Sequence, residues 1–421
     1  MEWKIIMNAK IKKILKTPEF SSYVLFFLCW IVYCVICFGK NSFSAANAAI
    51  VKEGLFTKDS LGLIGAGFYL FYSVGQFLGA GFIDKASPHK FISLGLIASV
   101  LSCIIIVFTD NFYIILISWC LNGLLQFAFY PACITIISTK IHKDFRRKSL
   151  TYFSFTIPIG TLISYLVSSM LLTSNRWTSI FMVSAIVTII SLLVWLIYTK
   201  NNSAITSKSN VEKVEKEKVK VPWKKLISVG LIPMSIGAFI KSSLDLGTKA
   251  WIPTMLMETY DLSASFSVFL TIFMVIINIT GVFVADYIIK KVKGNEVKAA
   301  SKIFLISLPF IAGLLFMKNL NLYLSVTFMS IFTTLMSAIT QVVLFYAPVR
   351  FVKYGCVGTT TSILNAFSAF GTFVSTYLFG LIAEHFGWTS TIITWIVFAL
   401  VGFIVFALAS PRWKKFINNT D

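Results

Sequence analysis

Long stretches of uncharged, apolar residues alternate with short polar and basic segments along most of the chain. Residues 91–108, 177–198 and 388–409 contain no charged side chain, and a run of 18 or more apolar residues predicts a helix that crosses a bilayer. Strands of outer-membrane barrels would instead alternate apolar and polar positions over about ten residues. The pattern therefore predicts an all-α membrane protein.

The apolar stretches number twelve, six on each side of a polar and charged segment. They predict twelve transmembrane helices in two six-helix halves. The predicted spans cover residues 20–50, 61–83, 91–108, 112–138, 150–172, 177–198, 225–256, 264–289, 299–317, 321–349, 357–383 and 388–409. The same division gives a basic N-terminal segment (1–19), a first half (20–198), a charged linker (199–224), a second half (225–409) and a tail (410–421).

The distribution of positive charge predicts the orientation of the chain. The 421 residues are 57% hydrophobic and 13% charged, with a net charge of +20. The basic residues lie between apolar spans and not on a folded basic domain, so nucleic acid is not an expected partner. Most Lys and Arg residues lie at the termini and in even-numbered loops, which the positive-inside rule assigns to the cytoplasm. We therefore expect a multi-pass protein of the plasma membrane with both termini cytoplasmic. The odd-numbered loops contain Lys52, Lys58, Arg176 and Lys318.

Lys40 lies near the middle of the first predicted span, between uncharged segments on either side. A lysine at the centre of a membrane helix costs roughly 2.5 to 3.5 kcal/mol on insertion scales, so it normally faces a bundle interior or a water-filled cavity. One hypothesis is that Lys40 binds an anion there. The alternative is that the helix ends near Phe43 and the lysine extends to the outer interface.

Three charged residues recur every four positions in the seventh predicted span: Lys241, Asp245 and Lys249. This spacing places them on one helix face over about 12 Å of rise. Away from the span ends, where Lys225, Asp286 and Lys302 lie, Lys40 and these three residues amount to three cations and one anion. An anionic substrate would balance the excess of two positive charges. In the structural alternative, Asp245 neutralises a neighbouring lysine and the cluster only stabilises the helix.

The two predicted halves share a short repeat at the end of their second span. Gly79 is followed five residues later by Asp84 and then Lys85, and Gly281 is followed five residues later by Asp286. Repeated halves with a site between them are the general plan of secondary transporters. With six helices on each side of a basic central segment, the chain resembles the major facilitator superfamily.

Further motifs resemble one branch, the organophosphate:phosphate antiporter family, which includes glycerol-phosphate and hexose-phosphate carriers. The resemblance extends over nearly the whole chain. Its motifs are Lys40-Asn-Ser-Phe43, Leu61-Gly62, Asp84-Lys85-Ala-Ser-Pro88, Gly95-Leu96, Asn122-Gly-x-x-Gln126, Tyr130-Pro-Ala-Cys133, Trp251-x-Pro-Thr254 and His385-Phe-Gly-Trp388.

The resemblance implies two cationic residues, on the first and seventh spans, that clamp the substrate phosphate. Lys40 occupies the first position, where most relatives have arginine; lysine offers a point charge instead of a planar fork. The second position stays open, because counting back from Trp251 gives Asp245 and counting forward from Lys224 and Lys225 gives Lys241.

Other family positions complete the candidate site. The resemblance implies that Tyr33 and Tyr72 face the substrate and that Gln76 stands where relatives can have lysine. Gln126 and Asn365 are intramembrane polar side chains that line the cavity or form hydrogen bonds between helices. At the cytoplasmic helix ends, we expect a latch that breaks when the halves move. Its residues are Asp84, Lys85 and Asp286.

Three functions follow from these observations. The first is a carrier that exchanges a phosphate ester for inorganic phosphate by alternating access. The second is a proton-coupled symporter of another organic anion, such as a sugar acid, with Asp245 as the proton site. The third is a membrane sensor of sugar phosphate.

An enzyme is not expected, and neither is a cofactor or a metal site. The loops contain no ATP-binding glycine motif, no metal-ligand spacing and no Ser/His/Asp arrangement. The expected partners are a small anionic solute, inorganic phosphate or protons as the coupling ion, and the lipid bilayer, for a monomeric protein.

Overall fold

The computed structural model describes residues 18–83, 87–173, 176–202, 226, 230–351 and 357–418. All regular secondary structure in these ranges is helical, as the apolar pattern predicts. The predicted latch residues Asp84 and Lys85 lie outside the described residues, and so does most of the predicted linker. The helices before the linker (residues 18–202) are called the N-terminal set below, and those after it (230–418) the C-terminal set.

Eight helices form the N-terminal set. They are α1 (Pro18–Lys52), α2 (Lys58–Ile83), α3 (Pro88–Phe108), α4 (Phe112–Gln126), α5 (Phe129–Lys140), α6 (Lys143–Phe153), α7 (Thr156–Leu171) and α8 (Thr178–Asn201).

The C-terminal set also contains eight α-helices, and three of their junctions have a different helical pitch. The α-helices are α9 (Leu231–Ser242), α10 (Ile252–Tyr260), α11 (Ala264–Asn278), α12 (Gly281–Lys291), α13 (Glu296–Gly313), α14 (Leu322–Thr340), α15 (Ala347–Val349) and α16 (Val357–Asn418). π-helical segments, Ser243–Gly247 and Gln341–Tyr346, follow α9 and α14, and a 3₁₀ segment, Leu314–Asn319, follows α13.

Prolines account for the breaks within two of the predicted spans. A proline inside a helix lacks the N–H group, and its ring clashes with the carbonyl four residues earlier. Pro131 lies in α5, four residues after Phe127, and Phe127 is at the break between α4 and α5. Pro158 lies in α7, four residues after Ser154, and Ser154 is at the break between α6 and α7. One predicted span therefore consists of two helical pieces in each case.

The last two predicted spans lie end to end in α16, which consists of two helical parts joined at a kink. Its backbone departs from helical geometry at Gly387, with φ 77° and ψ 173°, a left-handed conformation that glycine adopts without a Cβ penalty. The helix also continues beyond residue 409, where the predicted tail begins. The indole of Trp413 in this extension is buried and donates a hydrogen bond of 2.9 Å to Glu296 Oε2.

Eight helices of the described chain are long and apolar enough to cross a membrane. Large apolar side chains cover their outer faces: Phe108, Phe283 and Leu408 are 84%, 71% and 74% exposed. Such surfaces are stable against lipid, and the protein is an integral membrane protein.

The two helix sets pack directly on each other. Helix α2 lies against α16, and α7 lies against α11. A large buried apolar cluster contains residues from both sets, among them Trp119 and Trp251. Within the N-terminal set, α1 and α7 approach closely at Gly160, where an added Cβ would lie 2.7 Å from Cys37 Cβ. Cys34 and Cys37, three residues apart on α1, thus have a packing role at this contact.

Candidate anion-binding site

Lys40 lies well inside α1, which continues without a break to Lys52. At 1.5 Å per residue, its backbone is about 18 Å from that end of the helix. The alternative in which Lys40 extends to an interface required the helix to end near Phe43, and the helix continues nine residues beyond it.

Aromatic rings surround the ammonium group of Lys40. The Nζ atom lies 4.7 Å from the ring centre of Tyr69, 5.6 Å from that of Phe68 and 5.8 Å from that of Tyr72. All three rings belong to α2. A cation is attracted to the negative face of an aromatic ring by about 0.5 to 2 kcal/mol, more when water is excluded. Among the described residues, no carboxylate forms an ion pair with Lys40.

Sequence analysis missed Phe68 and Tyr69. The available signal was the dense aromatic run Phe68-Tyr-Leu-Phe-Tyr72, in which residues three and four apart share a helix face. The sequence cannot show that this face is turned toward Lys40 on a different helix.

We expect Tyr69→Leu to weaken binding of an anion at Lys40 by about two- to tenfold, because losing about 0.5 to 1.4 kcal/mol of cation–π attraction leaves the ammonium group less well positioned. Tyr69→Phe retains the ring and should stay within about twofold of wild type. Ligand-induced thermal stabilisation measures both variants. Equal losses in both would assign the effect to the hydroxyl group and contradict the role of the ring.

Asp245 lies between Lys241 and Lys249 and contacts both. Its Oδ2 atom is 4.0 Å from Lys241 Nζ, and its Oδ1 atom accepts a hydrogen bond from Lys249 Nζ. Thr340 of α14 donates to Oδ2 at 3.4 Å. Asp245 and Lys241 have side chains only 9% and 4% exposed, whereas that of Lys249 is 27% exposed. Of the two lysines, Lys249 is the one that a solute can reach more easily.

Asp245 and its partner Thr340 lie at two helix irregularities, and the first of these packs against α14. Asp245 is inside the π segment Ser243–Gly247, and Thr340 immediately precedes the π segment Gln341–Tyr346. π-helical turns are rare in proteins and occur often at functional sites. Here the wider turn carries the acidic residue of the Lys–Asp–Lys ladder.

Lys40 and the ladder lie at similar depths in the molecule. Helix α1 contacts the chain just before α10, where Asn47 Nδ2 donates to the carbonyl oxygen of Ala250 at 3.5 Å. At 1.5 Å per residue, Lys40 lies about 10 Å below this contact along α1, and Asp245 about 7 Å below it along its own helix. Lys40 and Asp245 are thus on opposite helix sets at a comparable level, with Lys241 about 6 Å below Asp245 and Lys249 about 6 Å above it.

Tyr33 packs among aromatic side chains. Its ring centre is 5.3 Å from that of Tyr130, 5.2 Å from that of Phe153 and 6.0 Å from that of Phe129. Tyr72 is one of the three aromatic residues beside Lys40, and it also interacts with Gln76 four residues along α2. Of the predicted residues Tyr33, Tyr72 and Gln76, the structure therefore places Tyr72 beside Lys40 and Gln76 beside Tyr72.

The other predicted polar positions have varied surroundings. Gln126 is buried and donates a 2.7 Å hydrogen bond to Asn122 Oδ1 within α4, whereas Asn365 is exposed. Asn278 accepts hydrogen bonds of 3.0 Å from Thr333 and Thr334 and so joins α11 to α14.

Asp286, the described member of the predicted latch, forms an interhelical contact. It accepts a 2.6 Å hydrogen bond from the Tyr346 hydroxyl. Tyr346 is the last residue of the second π segment. The latch role of Asp286 stays a prediction, and this bond connects α12 to the helix that carries Thr340.

The fold is a bundle of long apolar helices with buried charged residues in its interior, an arrangement found in membrane transporters. Residues 29–375 match the sequence profile of the Major Facilitator Superfamily. The chain belongs to this superfamily, as the resemblance implied.

Relatives within the superfamily point to organophosphates. The chain is 20% identical over 418 residues to a probable hexose phosphate transport protein of Chlamydia trachomatis, with 93% of this chain and 90% of the relative covered. It is 28% identical over 109 residues to the membrane sensor protein UhpC of Salmonella typhimurium, and this match spans about a quarter of either chain. A glycerol-3-phosphate transporter of Haemophilus influenzae is 30% identical over 115 residues, 25% of this chain and 24% of the relative. These relatives support an organophosphate:phosphate antiporter-like family.

Solved structures of transporters share the fold. A bacterial homologue of the human lysosomal transporter Spinster superposes with a TM-score of 0.78 at 15% identity, over 95% of this chain and 99% of that one. The D-xylose-proton symporter gives a TM-score of 0.71 at 12% identity, over 93% and 97% of the two chains.

Proposed function

We propose that the protein is a secondary transporter that exchanges a small phosphate ester, of the glycerol- or sugar-phosphate type, for inorganic phosphate. The single observation that carries the proposal is the charge balance of the buried site. Among the described residues no carboxylate pairs with Lys40, whose ammonium group lies against aromatic rings, and Lys241 and Lys249 share one carboxylate. The site therefore holds two uncompensated positive charges at mid-depth, which a dianion would neutralise.

The residues divide the work of binding. Lys40 binds phosphate oxygens from the N-terminal set, with Phe68, Tyr69 and Tyr72 holding its ammonium group in place. Lys249 binds from the C-terminal set, because it is the more exposed lysine of the ladder. Asp245 is assigned as the counter-ion of Lys241 and Lys249, and the second clamp position is assigned to this lysine pair around one carboxylate. The relatives named for hexose phosphate and glycerol-3-phosphate support a phosphate ester as the anion.

The helix sets are the two halves that move in alternating access. In the proposed topology, twelve spans cross the plasma membrane and both termini are cytoplasmic, because the basic residues concentrate at the termini and in the even-numbered loops. The helix ends near Lys52, Tyr260 and Glu384 are then on the outer side. The protein exchanges one substrate for another, instead of transporting one alone, if its empty form changes between the two conformations more slowly than its occupied form. The two unbalanced charges of the empty site are the reason for this difference.

A thermal-shift screen of the purified protein tests the substrate class. We expect stabilisation by glycerol and sugar phosphates and by inorganic phosphate, and none by the corresponding neutral sugars. A ligand at one hundred times its Kd stabilises the folded state by about 2.7 kcal/mol, so weak substrates also register at high concentration. Carboxylates of equal charge serve as the comparison. Stabilisation by neutral sugars, or by monocarboxylates alone, would contradict the proposal.

Because one relative is a membrane sensor protein, transport must be tested separately from binding. In proteoliposomes loaded with inorganic phosphate, the wild-type protein should take up labelled phosphate ester in exchange, and unloaded vesicles should take up little. Binding in the thermal-shift screen without counterflow would instead favour the sensor.

A further inference from the structure

A compact cluster of four side chains joins the two helix sets away from the candidate site. Lys58 Nζ at the start of α2 lies 2.9 and 3.1 Å from the two carboxylate oxygens of Glu258 on α10, and 3.6 Å from Glu384 Oε2 on α16. The backbone N–H group of Lys58 donates to the same Glu384 oxygen at 3.0 Å. Trp388 donates its indole N–H group to Glu258 Oε2 at 2.6 Å, and its ring centre lies 5.8 Å from Lys58 Nζ.

The cluster is more than an exposed surface ion pair. The Lys58 side chain is 12% exposed and each carboxylate side chain 28%, so solvent screens these charges less than it would at an open surface. Three helices contribute, and each member contacts at least one other. A network in which one ammonium group serves two carboxylates fixes the relative position of α2, α10 and α16 at this end.

The backbones of α2 and α16 also approach most closely beside the cluster. A Cβ added to Gly380 would lie 2.6 Å from the carbonyl oxygen of Lys58 and 2.5 Å from the Trp251 ring, and one added to Gly62 would lie 2.9 Å from the carbonyl oxygen of Thr376. Real Cβ atoms do not come this near to backbone oxygen. Glycine at these two positions therefore permits the closed packing of the two sets.

Other polar contacts between the sets lie at the same end. Asn47 near the end of α1 donates to Ala250, and Ser265 at the start of α11 donates to the carbonyl oxygen of Ser169 near the end of α7 at 2.6 Å. Ala45 of α1 and Val268 of α11 share a small buried apolar cluster between these contacts. The two sets are thus closed at the end of the molecule that carries Lys58.

We propose that Lys58, Glu258, Glu384 and Trp388 form an outer lock, which holds the transporter closed toward the outside and must break before the site can open to that side. The inference rests on the proposed function, since the proposed topology places this end outside. It also explains Lys58 itself: lysine is uncommon on the predicted outer side, and this one is held by carboxylates of the opposite set.

Hydrogen–deuterium exchange of the full chain in nanodiscs tests the outer lock. Exchange of a helix that opens locally follows the free energy of opening. We expect Lys58→Met and Glu258→Gln each to raise the exchange rate of residues 58–65 and 376–384 about fivefold, which corresponds to about 1 kcal/mol. The double variant should show little further increase, because both changes break the same contact. Glu53→Gln, an exposed carboxylate at the same end, is the matched control and should leave the rates unchanged.

Gly380→Ala provides a second test that retains every charge. Its added methyl group should force α2 and α16 apart and raise exchange in the same two segments. If Gly380→Ala raises exchange but Lys58→Met and Glu258→Gln do not, the closure depends on helix packing and the outer lock is wrong. Additive effects in the Lys58 and Glu258 double variant would likewise overturn it.

Failure of the outer lock and failure of the proposed function are distinguishable. If the protein catalyses counterflow of phosphate ester but the lock variants show unchanged hydrogen–deuterium exchange, the lock is overturned and the proposed function stands. If the lock variants show faster hydrogen–deuterium exchange but the protein transports no phosphate ester, the lock is supported and the proposed substrate is overturned.

Discussion

Lys40→Ala should abolish phosphate-ester counterflow and leave the protein folded. A hydrogen bond to a charged group contributes about 1.5 to 3 kcal/mol, so anion affinity should fall by about ten- to a hundredfold or more. Removal of a buried cation also relieves its desolvation cost, so the melting temperature without ligand should not fall greatly. Counterflow in proteoliposomes and the thermal shift with phosphate measure the two effects separately.

Two further variants make this result specific. Lys40→Arg keeps the charge and should retain part of the activity, because its planar group presents its donors in a different geometry from the three rotatable donors of lysine. Lys52→Ala removes a lysine from the exposed end of the same helix and should transport normally. Wild-type counterflow by Lys40→Ala would show that the substrate is held elsewhere.

Asp245→Asn should raise the affinity for a dianionic phosphate by at least about tenfold if Asp245 is a counter-ion. At an effective dielectric constant of about 20, a unit charge about 8 Å away contributes roughly 2 kcal/mol, and the substitution leaves Lys241 and Lys249 without their shared carboxylate. The same variant should lose thermal stability without ligand and regain it when phosphate is added, because two neighbouring cations then repel each other until an anion binds.

The proton-carrier hypothesis gives the opposite result for the same variant. A fixed neutral side chain cannot alternate between protonated and ionised forms, so proton-driven accumulation should disappear while exchange is spared. Uptake and counterflow at pH 6 and pH 8 separate the two hypotheses. Each rate is divided by that of the wild type at the same pH, so that ionisation of the phosphate ester itself cancels.

The matched control is Asp261→Asn, the same substitution at the exposed end of α10. Asp261 has φ 51°, a conformation that asparagine tolerates, so this variant should behave as wild type in both assays. Unchanged affinity and unchanged pH behaviour of Asp245→Asn would leave Asp245 as a structural ion-pair partner and contradict both functional roles.

The sequence by itself determined the class of protein and identified the charged residues that lie inside its apolar stretches. Uninterrupted apolar stretches predict membrane helices because a bilayer leaves backbone polar groups no partner outside the helix. The same cost makes Lys40 and the Lys241–Asp245–Lys249 ladder stand out, since a charge within an apolar stretch needs a reason. The ordered motifs from Lys40 to Trp388 were sufficient for the superfamily, and the match over residues 29–375 confirms it.

The tertiary structure decided which side chains meet. Periodicity shows the face of a helix on which a residue lies, but not the helix that this face contacts. Tyr69 beside Lys40 and Thr340 beside Asp245 are examples.

The residues of the proposed outer lock show the same limit over long separations in the sequence. Lys58 is 200 residues from Glu258 and 326 residues from Glu384, and no local pattern of apolar and polar positions connects them. Only the packing of α2 on α16, at glycines without a Cβ, brings these charges together.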